Sequence, residues 1–167
     1  PYTTLFRSCS IHDPLAVKDY ATRLQQLQHD LKDEIFLVMR AYIEKPRTTV
    51  GWKGFLYDPQ LDGSSDLQQG LEHSRALYLD LIELGLPLAS EILSPMATAY
   101  FDDLLAWGAI GARTSESQIH REIASHMPYS IGFKNGTDGS IQIALDAIQS
   151  ALHGHQFLGM TQQGLPA

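Results

Sequence analysis

Apolar runs with strand character alternate with stretches whose apolar positions recur at helical spacing, and this alternation restricts the fold more than any other feature. Behind Asp13-Pro14, a cap and a first-turn proline, Val17, Tyr20, Leu24, Leu27 and Leu31 share one helical face. Ile35 to Tyr42 follows as a near-continuous apolar run, the pattern of a strand covered on both faces. Helices are then expected over 65–84, ended by Gly85, and over 96–107, 115–127 and 140–152, the last capped by Ser140. Strands are expected over 88–93, 108–113, 130–134 and 155–161, with Asn135-Gly-Thr-Asp-Gly as a turn. Strand followed by helix, repeated about five times, implies parallel strands joined by right-handed crossovers.

Two architectures satisfy that order, a closed eight-stranded barrel and an open doubly wound sheet. Neither Gly-x-Gly-x-x-Gly nor a Walker-type loop occurs, which counts against a nucleotide-binding open sheet. Arg40, Glu91, Arg113 and Lys134 fall at or just beyond the carboxyl ends of successive strands, where a barrel builds its active site. A complete barrel takes roughly 250 residues, and this chain has 167. The expected fold class is therefore α/β, an incomplete (β/α)8 TIM barrel holding approximately strands two to six.

Formal charge is -7, which disfavours a nucleic-acid partner, and no run is long and apolar enough to span a bilayer. A single cysteine, Cys9, excludes an intrachain disulfide and fits a reducing cytoplasm. The start lacks a basic n-region followed by an apolar core, so a signal peptide is not expected there. Pro1 to Ser8 resembles the translation of a sequencing adapter, so this segment is expected to be non-native and is left out of fold reasoning, with 9–167 forming the partial barrel domain.

Four cations (Arg40, Lys45, Arg47, Lys53) and one anion (Glu44) lie between Arg40 and Lys53, a local excess of +3 against the acidic background. Guanidinium forks suit carboxylate or phosphate, Thr48 and Thr49 add hydroxyl donors, and Pro46 stiffens the loop. The stretch reads either as a receptacle for a small anion or as a solvated loop with scattered charge. Gly111 and Ala112 before Arg113 would let a ligand approach the backbone. Glu91, on an apolar strand, must be paired or functional, because burying a lone carboxylate is costly. Cys9-x-x-His12 is too short a pattern to identify a metal site, and the remaining histidines show no ligand spacing.

The segments Cys-Ser-Ile-His-Asp-Pro (9–14), Met-Arg-x-Tyr-x-Glu-Lys-Pro-Arg-Thr-Thr-Val-Gly-Trp-Lys-Gly (39–54), Gly-Ala-Ile-Gly-Ala-Arg-Thr-x-Glu-Ser-Gln (108–118) and Gly-Phe-Lys-Asn-Gly-Thr-Asp-Gly (132–139) resemble the class I 3-deoxy-D-arabino-heptulosonate-7-phosphate (DAHP) synthases. More narrowly, they look like the bacterial type sensitive to an aromatic amino acid. The resemblance runs from Cys9 almost to the end. It implies the first step of the shikimate pathway, in which phosphoenolpyruvate, erythrose 4-phosphate and water give DAHP and phosphate. It places Arg40, Lys45, Arg113 and Lys134 on phosphoenolpyruvate, with the Gly111 and Ala112 backbone beside its phosphate. Arg47 and Thr48 serve erythrose 4-phosphate, Glu91 lies near the carbon that water attacks, and Cys9 is a ligand of a divalent metal. Lys45 and Glu91 are the residues expected to take part in catalysis. A cytoplasmic homo-oligomer, dimer or tetramer, with an aromatic amino acid inhibitor is implied.

This sequence also departs from the pattern. Arg7-Ser8 stands where the family has Gly-Pro, and Thr98 and Pro128 differ from common choices near the inhibitor pocket. The family would continue after Ala167 with another arginine for phosphoenolpyruvate and with the His, Glu and Asp that complete the metal site. The 167-residue chain is therefore expected to be an inactive piece of the synthase. Two alternatives are an enzyme like the octulosonate-phosphate synthases, whose loop lacks Lys-Pro-Arg-Thr-Thr, and a non-catalytic module that binds sugar phosphates.

Overall fold

A computed structural model describes residues 2–6, 10–156, 158 and 165. The chain forms two compact units, Pro1–Ser90 and Glu91–Ala167.

In the first unit, strand β1 (Tyr2–Phe6), helix α1 (Pro14–Leu31), strand β2 (Ile35–Arg40) and helix α2 (Leu67–Glu83) lead to strand β3 (Leu88–Glu91), whose last residue opens the second unit. Both pairings are parallel: Tyr2 faces Ile35 and Phe6 faces Met39, while Met39 faces Leu88 and Arg40 faces Ala89. Strand β1 lies within the segment expected to be non-native.

Helix α1 begins as the sequence predicts. The Asp13 carboxylate accepts the Leu15 and Ala16 N–H groups at 2.9 and 3.3 Å. Asp13→Ala is expected to cost about 1 kcal/mol, measurable as a lowered midpoint in urea. Helix α2 starts two residues later than expected because Asp66 caps it, accepting the Gln69 N–H at 3.0 Å. Gly85, at φ 77°, ends that helix in the left-handed conformation. Leu77, Tyr78 and Leu81 bury one face of α2. The buried Tyr78 hydroxyl donates to the Ala41 carbonyl and lies 3.1 Å from Ser90 Oγ, tying the helix to the ends of β2 and β3.

The second unit continues with helix α3 (Pro95–Phe101), a 3-10 turn (Asp102–Leu104), strand β4 (Trp107–Ile110), helix α4 (Gln118–Ala124), strand β5 (Ser130–Phe133) and helix α5 (Gln142–Ala151). β4 and β5 are parallel, with Trp107 opposite Ser130 and Ile110 opposite Phe133. The Ile92 N–H donates to the Ala109 carbonyl at 2.9 Å and joins the end of β3 to β4. Ile92, Ile110 and Ile123 form the core, with Leu105, Met127, Tyr129, Ile131 and Phe133 packed around it.

Helices α3 and α4 are shorter than their apolar spacing predicts. Trp107 belongs to β4 instead of the preceding helix. Strand β4 stops at Ile110, and residues 112–116 form turns where the sequence predicts strand to 113 and helix from 115. Ser140 does not cap α5. Its backbone closes the preceding turn, the N–H donating to Asp138 Oδ1 at 2.8 Å and the carbonyl accepting from Gly136 at 2.9 Å. Of the strand expected over 155–161, His155, Gln156 and Leu158 are not in a strand and the other residues lie outside those described. Among the described residues no helix is long and apolar enough to cross a membrane.

Candidate functional site

Each unit places part of the cationic set beyond its strand ends. In the first, Arg40 is the last residue of β2 and Lys45 lies five positions further along. Arg40 and Tyr42 sit two apart on extended chain, which turns both side chains to one side. The Arg40 guanidinium carbon stacks 3.8 Å from the Tyr42 ring centroid, so the planar fork is held against a buried surface.

The loop after β2 is a pinched structure rather than a solvated ribbon. The Lys45 N–H donates to the Lys53 carbonyl at 2.8 Å, and the Leu56 N–H to the Ile43 carbonyl at 3.1 Å, closing its neck. Arg47 Nε donates to the Trp52 carbonyl at 2.8 Å, and Trp52 Nε1 to the Asp58 carbonyl at 2.9 Å. Gly54, at φ 116°, is required at the neck: a Cβ there would lie 2.3 Å from the Ile43 carbonyl oxygen. Lys45 is half-buried, while Arg47, Thr48 and Thr49 are exposed toward the tip.

Glu44, the anion of this stretch, is withdrawn from the surface at 5% exposure. It accepts the Tyr57 hydroxyl at 3.1 Å, and the Lys53 ammonium lies 5.9 Å from the Tyr57 ring centroid. Burying the carboxylate leaves the outer part of the loop to its cations. Sequence reasoning missed Tyr42 and Tyr57 as supports. The alternation of Arg40 with Tyr42 carried the first signal, but the thirteen-residue separation of Glu44 and Tyr57 carried none.

In the second unit, Glu91 ends β3 and is buried at 7% exposure. Its carboxylate lies directly over Gly111, where a Cβ would stand 2.2 Å from Glu91 Oε1. Gly111 therefore admits the carboxylate, a use additional to the close ligand approach read from sequence. The chain then makes one tight turn: the Thr114 and Ser115 N–H groups both donate to the Gly111 carbonyl at 3.0 Å. That turn carries Ala112, half-buried, and Arg113, exposed. Lys134 follows β5 directly, and its N–H donates to the Ile110 carbonyl at 3.0 Å. Parallel β4 and β5 thus bring the Arg113 turn and Lys134 to the same end of the strand pair.

His120 braces this region. Its Nε2 donates to the Leu93 carbonyl at 2.9 Å, which fixes the tautomer, so Nδ1 accepts from Ser117 Oγ at 2.7 Å. Cys9 lies outside the described residues. Among the described residues no group of three or more His, Cys, Asp or Glu could hold a metal ion. The described residues therefore do not by themselves form a metal centre.

The family model for the DAHP synthetase I family matches residues 5–165. The Phe-sensitive phospho-2-dehydro-3-deoxyheptonate aldolase of Escherichia coli K12 is 56% identical over 156 residues, which are 93% of this chain and 45% of that protein. The tyrosine-inhibited enzyme of Candida albicans is 54% identical over 160 residues, 95% of this chain and 43% of that protein. The solved phospho-2-dehydro-3-deoxyheptonate aldolase of Francisella tularensis SCHU S4 superposes with a TM-score of 0.95 at 49% identity, covering 99% of this chain and 48% of that one. The chain thus spans somewhat under half the length of these relatives, and the fold is α/β, an incomplete barrel. With a family match over nearly its whole length, the chain belongs to the DAHP synthetase I family.

Proposed function

We propose that this chain is part of a 3-deoxy-7-phosphoheptulonate synthase, which condenses phosphoenolpyruvate with erythrose 4-phosphate and water to give DAHP and phosphate. The enol carbon of phosphoenolpyruvate forms a bond to the aldehyde carbon, water adds at the neighbouring carbon, and phosphate departs. Arg40, Lys45, Arg113 and Lys134 bind phosphoenolpyruvate, and the Gly111 and Ala112 backbone lies beside its phosphate. Arg47 and Thr48 take erythrose 4-phosphate. Cations at these positions neutralise and align two anions that otherwise repel each other. Glu91 stands near the carbon that water attacks. The observation that carries the reading is the buried Glu91 carboxylate seated on Gly111, two residues before Arg113.

Cys9 is the ligand this chain would offer to a divalent metal, which would polarise the aldehyde oxygen as a Lewis acid. Among the described residues no group of three or more His, Cys, Asp or Glu could hold a metal ion, so the roles above are confined to the chain's own side chains. The parent enzyme is cytoplasmic, homo-oligomeric (dimer or tetramer) and inhibited by an aromatic amino acid. Relatives named tyrosine-inhibited and Phe-sensitive support that regulation. Pro1–Ser8 is of non-native, adapter origin, supported by Arg7-Ser8 in place of Gly-Pro. The test is phosphate release by the uninterrupted protein. It is expected with phosphoenolpyruvate plus erythrose 4-phosphate and absent with the 167-residue chain alone. Release with arabinose 5-phosphate in place of erythrose 4-phosphate would assign the octulosonate-phosphate reaction instead.

A further inference from the structure

Ser115 is wholly buried, and its hydroxyl reaches two carbonyls, that of Lys134 at 2.7 Å and that of Gly111 at 3.1 Å. A hydroxyl has one proton to donate. The Gly111 carbonyl already accepts the Thr114 and Ser115 N–H groups, so the proton goes to the nearer Lys134 carbonyl. Lys134 is then fixed through both of its backbone groups, the N–H on Ile110 and the carbonyl on Ser115. Ser115 is anchored in turn by its own carbonyl, which accepts from Arg121 Nε at 2.8 Å. The turn that Ser115 closes is the one that carries Arg113.

We propose that Ser115 is a positioning residue that sets the spacing between Arg113 and Lys134, so that the two cations meet one anion together. The proposal rests on the reading that Arg113 and Lys134 bind phosphoenolpyruvate. Without the Ser115 hydroxyl, strand pairing still holds β4 against β5, but the Lys134 carbonyl loses its tie to the Arg113 turn. The cations remain, with a less defined separation, and affinity for a bidentate anion falls while other contacts persist.

The test uses the uninterrupted protein, with phosphoenolpyruvate titrated calorimetrically and kinetics followed by phosphate release. Ser115→Ala is expected to weaken phosphoenolpyruvate binding about tenfold, equivalent to about 1.4 kcal/mol. KM for erythrose 4-phosphate should change less than about twofold, because its proposed residues, Arg47 and Thr48, are not tied to Ser115. Ser115→Thr keeps the hydroxyl and should restore binding, whereas the near-isosteric Ser115→Val should not. That pair decides the matter if the alanine variant fails to fold. Lys134→Ala and Ser115→Ala should combine less than additively, since both remove the same contact to the anion. Unchanged phosphoenolpyruvate affinity in Ser115→Ala, with Lys134→Ala weakened, would overturn the positioning role and leave the site reading standing. Unchanged affinity in both Arg113→Ala and Lys134→Ala would overturn the site reading and this role with it.

Discussion

Lys45→Ala in the uninterrupted protein should lower kcat/KM for phosphate release by about 10²–10³-fold, the scale of removing one preorganised charge donor. Lys45 is half-buried at the neck of the loop, where its backbone N–H is fixed to the Lys53 carbonyl at 2.8 Å. A side chain rooted on a fixed backbone position has less to reorganise when charge develops on the substrate. Lys45→Arg should recover only part of the loss, because a planar fork does not replace a compact ammonium. Val50→Ala, at the loop tip and 92% exposed, should leave the rate within about twofold. Equal losses at Lys45 and Val50 would mean that loop order, not the ammonium, controls the rate.

Gly70→Ala should destabilise the fold by about 3 kcal/mol, although alanine is the better helix former by about 1 kcal/mol. A Cβ at this position in α2 would lie 1.9 Å from the Leu56 carbonyl oxygen and 2.7 Å from its carbon. The obstacle is backbone at the foot of the cationic loop, which cannot rotate aside as a side chain could. Gly154→Ala is the control, since no atom lies within 4 Å of its Cβ position, and it should change stability by less than about 0.5 kcal/mol. Denaturant midpoints of the two variants measure both. A stabilised Gly70→Ala would show that helix propensity outweighs the close approach of Leu56.

Much of the fold is legible in the chain because the periodicities of two and 3.6 residues report which faces are buried. Ile35–Arg40, Ser130–Phe133 and the capped start of α1 all follow from local pattern. Where the reading slipped, a non-local or competing local bond decided the outcome. Ser140 looks like a cap, but Asp138 and Gly136 engage its backbone first. Residues to 113 look like strand and those from 115 like helix, but the Thr114 and Ser115 N–H groups converge on Gly111 and the chain leaves β4 sharply.

The candidate site divides in the same way. Residue types chosen for charge, such as Arg40, Lys45, Arg113 and Lys134, announce themselves in an acidic chain at strand ends. Supports acting across sequence do not. Ser115 meets Lys134 nineteen positions away, and His120 meets Leu93 twenty-seven positions away. Both are ordinary polar residues whose partners are backbone carbonyls, so no local pattern marks them.

A crystal structure of the uninterrupted protein with phosphoenolpyruvate bound tests the central claim most directly. The account predicts nitrogen atoms of Arg40, Lys45, Arg113 and Lys134 within about 3 Å of the ligand's oxygens, with its phosphate against the Gly111–Ala112 backbone. Phosphoenolpyruvate bound away from these side chains, with Arg113 and Lys134 both facing solvent, would contradict it.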